Sequence, residues 1–277
     1  HEDPKIWEKA NPSLGTTISL DSFKADEAES RNMPAKRNSW LRYRLNCPDT
    51  TADVRWFRPG DWAQGNEQPE PFGDRPVFMG LDLASTWDTT SLVGIAKRED
   101  GTLDVQAMFF CPRDNAVERE AKDKVPYGMW TEQGHMIATS GNICDYEVVR
   151  QYIEEFCANH NVQQIACDKW NAASLMTQLY QQGIPVTGYS QGFSALSSPC
   201  KRLETLVASG KLRHGGNPVL AWQSDNAVTI EDANQNIRVS KKHSSEKVDG
   251  IVALAMAIGV LDTAEAQLEQ NYDIFII

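Results

Sequence analysis

No run of apolar residues in this sequence reaches the roughly 18 that a membrane-crossing helix needs, which argues against a spanning protein. Basic residues are also scarce. Against 38 Asp and Glu stand only 27 Lys and Arg, a formal net charge of −11 over 277 residues. A dedicated polyanion binder is usually basic, so any DNA-directed reading must account for that sign. The six cysteines (Cys47, Cys111, Cys144, Cys157, Cys167 and Cys200) form no CxxC pair, and the five histidines form no HExxH. That pattern speaks against a zinc site or a disulfide frame and for reduced, mostly buried thiols of a cytoplasmic protein. No GxxxxGK[ST] occurs, so the chain has no P-loop for nucleotide phosphates. The first residues, HEDPKIWEKA, are too charged for a secretory signal and lack an initiator Met, as a fragment or processed chain would. Internal repeats and low-complexity tracts are missing as well.

What is present is ordinary globular material: hydrophobic residues at 41% and charged ones at 23%, enough for one large or two modest domains. Composition shifts near residue 70. Residues 1–75 hold a charged helical stretch, DSFKADEAESRNM, with Asp21 as its expected N-cap, then the aromatic and basic NSWLRYRLN, then GNEQPEPFGDRP (65–76) as a linker. From Pro76 a second region begins and runs to residue 277. VFMGLDLA (77–84), TTSLVGIAKR (89–98) and TLDVQAMFF (102–110) read as three antiparallel strands, the last two joined through Glu99–Asp100–Gly101. Residues 111–143 read as irregular. DYEVVRQYIEEFCANHN (145–161) has helical apolar spacing behind an Asp145 cap. Next come a strand VQQIACD (162–168), a helix NAASLMTQLYQQG (171–183), a strand IPVTGY, a helix SSPCKRLETLVASG and a hairpin VTIEDANQNIRVSK. A long apolar helix, SSEKVDGIVALAMAIGVLDTAEAQL (244–268), closes the series. The order predicts α/β architecture with a mixed sheet.

Three acids occupy informative places. Asp82 ends an apolar strand, where a carboxylate costs several kcal/mol unless its charge is compensated. Asp168 stands at the C-terminal tip of the next buried strand, and Asp249 opens the last helix. Each has a plain reading of its own. Asp82 could pair with a Lys or Arg, Asp168 with Lys169, and Asp249 could be a helix N-terminal charge. Together they fall on three elements of one sheet, at the strand ends where ligands of open α/β sheets collect. Convergent carboxylates repel unless divalent cations neutralise them, and hard Mg²⁺ or Mn²⁺ takes oxygen ligands. Asp88, six residues past Asp82, is either a turn cap or an accessory ligand. The run Lys241, Lys242, His243 and Lys247 is either a solvated face or a grip on a phosphate backbone. Trp170 reads as packing.

VFMGLDLASTWDTTSLVGIA, QQIACDKW and HSSEKVDGIVALAMAIGVL resemble, in order, the nuclease domain of tailed-phage terminase large subunits, the DNA-packaging motors. The resemblance covers about residues 76–263, and IWEKANPSLGTTISLDSF with NSWLRYRLN resembles the segment just after the motor ATPase core. It implies an RNase H-like mixed β-sheet flanked by helices. It also implies an endonuclease that cuts concatemeric double-stranded DNA with two divalent ions, Mg²⁺ or Mn²⁺. Asp82, Asp168 and Asp249 would be the metal ligands, with Asp88 where some relatives place a further acid. Portal protein and terminase small subunit would be partners, no membrane would be involved, and the site of action would be the cytoplasm of the infected bacterial host. The family's P-loop ATPase domain is absent from this chain, so residues 1–75 read as a C-terminal remnant of the motor region plus linker and 76–277 as the nuclease domain. The metals and the rest of the motor would account for the acidic net charge.

Two other readings stay open at this level. GLDLASTWDTTS also resembles the first phosphate-binding turn of actin-like sugar kinases, although the second phosphate loop and the adenosine motif of that family are missing. A non-catalytic docking module on the same scaffold is the third.

Overall fold

The computed structural model describes residues 4–32, 40–41, 44–46, 55–58, 60–84, 89–114, 116–168, 172–244 and 246–273. Asp88, Lys169 and Trp170 lie outside the described residues.

Strand β1 (Val77–Asp82) is buried along its whole length because it is central in its sheet. It pairs antiparallel with β2 (Thr90–Lys97), through Asp82 opposite Ser91, and parallel with β5 (Val162–Asp168), through Leu81 opposite Cys167. Strand β3 (Leu103–Pro112) continues the hairpin from β2. Adding β4 (Met136–Thr139) and β6 (Val186–Tyr189), the order is β4-β3-β2-β1-β5-β6. The antiparallel opening followed by parallel β5 and β6 makes the sheet mixed, as the sequence pattern predicts.

Side-chain alternation along β1 splits its residues between two apolar layers. Val77, Met79 and Leu81 join Ile165, Cys167 and Leu92 in a layer covered by α5 (Tyr146–Asn159) and α6 (Ala173–Gln181), through Val149, Ile153, Leu175 and Leu179. Phe78 faces the other way, into the layer of Val93, Ile95, Phe109 and Ala166, under the final helix α9 (Asp249–Asp273) and α7 (Phe193–Ala208). Gly80 and Asp82 share the face of Phe78. A Cβ at Gly80 would stand 1.9 Å from the Ala253 carbonyl oxygen, so the glycine is what lets α9 lie directly on β1.

Several elements differ from the sequence expectation. Residues 111–143 are not irregular: they hold the end of β3, helices α3 (Ala116–Asp123) and α4 (Tyr127–Glu132), and β4. Helices of 8 and 6 residues are too short to show a 3.6-residue period. Helix α7 starts four residues before the expected Ser197, with Pro199 inside it. Pro199 cannot donate to the Ala195 carbonyl, and the Tyr189 hydroxyl does so instead at 2.9 Å. A two-residue strand β7 (Leu212–Arg213) and a helix α8 (Pro218–Asn226) fill a region without a sequence assignment, and the expected hairpin forms from β8 (Thr229–Glu231) and β9 (Ile237–Val239).

At the N-terminal side lie α1 (Pro4–Ala10) and α2 (Leu20–Asn32). Helix α2 begins at Leu20, so Asp21 is in its first turn rather than at its cap. Ser19 takes that place, its hydroxyl accepting from the Ser22 amide at 3.4 Å. Within the stretch 65–76, Phe72 is buried and meets Phe156 and His160 edge-on, and Arg75 reaches the buried Asp104 carboxylate at 2.7 Å.

By length and mean hydropathy (1.6), Asp249–Leu268 could cross a membrane. Its residues 250–261 are all buried in the fold, so it is apolar all round because it is a core helix.

Candidate metal centre

The alternation that sends Phe78 and Gly80 toward α9 sends Asp82 there too. Asp249, the first residue of α9, comes down at the same strand end. Lys241, from the segment between β9 and α9, stands between the two acids. Its ammonium is 2.5 Å from Asp82 Oδ2 and 3.0 Å from Asp249 Oδ1. The carboxylate side chains are only 3% and 4% exposed, whereas the Lys241 side chain keeps 43%, so the cation enters from the solvent side. The second oxygen of each acid is held by a neutral donor. Gln191 Nε2 donates to Asp82 Oδ1 at 3.1 Å, and the Thr89 hydroxyl donates to Asp249 Oδ2 at 3.0 Å.

The electrostatics follow from burial. Loss of solvent is the largest influence on Asp82, the Asp249 charge adds to it, and Lys241 and Gln191 oppose it. The carboxyl is pushed up to about 6. Burial also works against the Lys241 ammonium, but the two acids outweigh it and hold its pKa above the ordinary lysine value.

Asp168 ends β5, the parallel neighbour of β1. Ala166 lies in the layer under α9, and the period-2 alternation places Asp168 on the same face. The pairing of Leu81 with Cys167 sets Asp82 and Asp168 at adjacent strand tips. The Cys167 thiol, on the opposite face of the sheet, is pushed up to about 12, by burial first and then by the charges of Asp168 and Asp82. The structure thus brings Asp82 and Asp249 onto one cation and sets Asp168 beside them. Among the described residues, no three His, Cys, Asp or Glu side chains gather in metal-holding geometry. Asp145 caps α5, accepting from the Glu147 amide at 2.9 Å, as its sequence position predicts.

The donor set suits a hard divalent ion. Two buried carboxylates from separate elements already share one positive charge, and oxygen is the ligand such ions take. Of the basic run, Lys241 is spent on the acids, Lys242 and His243 are exposed, and His243 Nδ1 lies 2.8 Å from Ser240 Oγ. Sequence reasoning missed Gln191, Thr89 and Lys241 as partners of the acids. It also missed Gln223 and the helix that carries it, although Asn at the cap and Pro at the first position mark the start of α8.

A mixed sheet of this order, with helices on both faces and acids at adjacent strand ends under a long helix, is an RNase H-like fold. The family model for the terminase large subunit endonuclease domain matches residues 1–265, and the chain belongs to that family. It is 29% identical over 272 residues to the terminase large subunit of Enterobacteria phage HK97, covering 98% of this chain and 54% of that protein. It is 28% identical to protein YmfN of Escherichia coli K12, covering 93% and 59%. The crystal structure of the HK97 large terminase superposes with a TM-score of 0.71 at 29% identity, over 93% of this chain and 54% of that one. The chain therefore spans little more than half the length of these relatives. Family membership displaces the actin-like kinase reading.

Proposed function

We propose that this chain carries a divalent-metal-dependent endonuclease which cuts concatemeric double-stranded DNA during phage genome packaging. The observation that carries the reading is the pair of buried carboxylates, Asp82 and Asp249, held on one cation at the end of the sheet in a chain of the terminase endonuclease family. Asp82, Asp249 and the neighbouring Asp168 would hold two Mg²⁺ or Mn²⁺ ions, with Asp88 as an accessory ligand. When bound, the ions supply an activated water and charge stabilisation of the leaving oxygen. Gln191 and Thr89 fix the two carboxylates, so that their free edges face the cation position before any ligand arrives. Lys242, His243 and Lys247 come after Lys241 on the same segment and would bind backbone phosphates. In this reading residues 76–277 form the nuclease unit and residues 1–75 a remnant of the motor region with its linker. The ATPase domain, portal protein and small subunit belong to the larger machine, working in the cytoplasm of the infected host.

Plasmid DNA incubated with the purified chain tests this. Nicking and linearisation should require Mn²⁺ or Mg²⁺, stop with EDTA, and fall by at least about two orders of magnitude in D82N, D168N and D249N. Indifference to metal would leave the docking-module reading in its place. Full activity in one variant would remove that acid from the site.

A further inference from the structure

Helix α8 sends one polar side chain into the region behind the acids. Gln223 is 0% exposed and makes two hydrogen bonds there. Its Oε1 accepts from the Gly250 amide at 2.5 Å, and its Nε2 donates to the Thr89 hydroxyl at 3.1 Å. The Thr89 hydroxyl in turn donates to Asp249 Oδ2. The direction of this chain is forced. Gly250 N–H can only donate, so the Gln223 oxygen must face it and the amide NH₂ must face Thr89. Thr89 has a single proton, and with Gln223 donating to its oxygen that proton goes to Asp249. The first amides of a helix have no partner within the helix, so Gln223 serves α9 and its leading acid together. The approach requires Gly250: a Cβ there would stand 2.8 Å from Gln223 Oε1 and 2.7 Å from Phe109.

We propose that Gln223 is a positioning residue for the metal centre. It fixes the proton of Thr89 on the inner oxygen of Asp249, so that the outer oxygen is presented to the cation shared with Asp82. The proposal rests on the assignment of Asp249 as a metal ligand. It extends that assignment to a fully buried neutral residue on a helix that contributes no acid to the site. Outer-shell partners of metal-binding carboxylates commonly set affinity by tenfold or more, because they hold the ligand in the orientation that the ion needs.

Mn²⁺ affinity, measured by titration calorimetry on the metal-free full chain, tests this without reference to turnover. The panel is wild type, D249N, T89S, T89V, Q223M and T89V/Q223M, each first shown by thermal melting in EDTA to be folded. T89S, which keeps the hydroxyl, should bind like wild type. T89V and Q223M should each bind about tenfold more weakly. The double variant should be little weaker than T89V alone, because Gln223 reaches the Asp249 carboxylate through Thr89, its other bond going to the Gly250 backbone. Should Q223M fail to fold, Q223A takes its place with the same expectation. Wild-type affinity in T89V or in the Gln223 variant overturns the proposal. So does an additive loss of about a hundredfold in the double variant, since a merely structural glutamine would weaken the site independently of Thr89. If wild type binds Mn²⁺ and D249N does not, but the relay variants bind normally, only the positioning role falls. If wild type binds no Mn²⁺, the metal-centre reading and the positioning role fall together.

Discussion

Lys241 Nζ lies 2.5 Å from Asp82 Oδ2, and the same ammonium serves Asp249 at 3.0 Å. The lysine thus occupies the position where a cation neutralises both acids. Removing one partner from such an arrangement leaves buried charge without compensation, which costs about 3–5 kcal/mol. K241M should therefore melt well below wild type in EDTA. Mn²⁺ can replace the lost charge, and at a hundredfold excess over Kd it stabilises by about 2.7 kcal/mol. The variant should regain most of its lost stability with Mn²⁺ and bind the ion more tightly than wild type, because no ammonium competes. Melts with and without Mn²⁺ check this. A K241M variant as stable as wild type in EDTA, with a weaker response to metal, would contradict it.

Gly80 lets α9 lie directly on β1, which brings Asp249 to the Asp82 end of that strand. In G80A the added Cβ meets backbone, the Ala253 carbonyl, so α9 must move away from β1. Overpacking of this kind costs about 1–3 kcal/mol, roughly 2–12 °C in Tm for a chain of this size. Because the shift also separates the two acids, the Mn²⁺-induced rise in Tm should shrink in G80A. An unchanged Tm and metal response would mean that the helix can adjust without moving Asp249.

Strands β1 and β2 were legible in the sequence because they are apolar runs with sharp ends, whereas β4, four residues long, was not. For residues 162–168 the expected and the observed strand share the same boundaries, although Gln163 and Gln164 interrupt its apolar residues. Asp82 and Asp168 were legible because a carboxylate closing a buried strand stands out, and Asp249 because it opens an apolar helix. Their partners were not. Gln191, Thr89 and Gln223 lie 109, 160 and 134 residues in sequence from the groups they bond, Asp82, Asp249 and Thr89 respectively, and only the fold joins them. Lys241 was visible as part of a basic run, but charge patterning alone could not show that its ammonium turns inward. Helices α3 and α4 were missed because so few turns leave no periodicity, and the membrane-like hydropathy of α9 emerges only when Asp262, Thr263 and Glu265 are averaged with their apolar neighbours.

Away from the site, Asp104 offers a pH test. Burial alone would raise its carboxyl, but Arg98, Arg75 and the Glu70 amide donate to it and hold it below the usual carboxylate range. A depressed folded-state pKa contributes stability above the unfolded value, near 3.9, which is lost as pH falls through the folded value. D104N should therefore melt below wild type at pH 7, and the gap should narrow as pH drops below about 4. A gap that is constant across pH 3–7 would show that Asp104 acts through shape rather than charge.

The exposed Lys242 allows a test of the phosphate-binding reading. Each phosphate contact contributes close to one unit to the slope of log affinity against log salt concentration. K242A should lower that slope by about one and weaken binding uniformly across DNA sequences. An unchanged slope in filter-binding or anisotropy titrations would make this face merely solvated.

If Asp82, Asp168 and Asp249 form a divalent-metal site, a crystal soaked in Mn²⁺ will show it. Anomalous difference maps should show manganese bonded to Asp82 and Asp249 oxygens at about 2.1 Å, the bond length of a small hard ion to oxygen. The Lys241 ammonium should have left its place between them, and Asp168 should lie close enough to join the ion or its waters. A fully occupied manganese peak elsewhere, with Lys241 still bridging Asp82 and Asp249, would contradict the account.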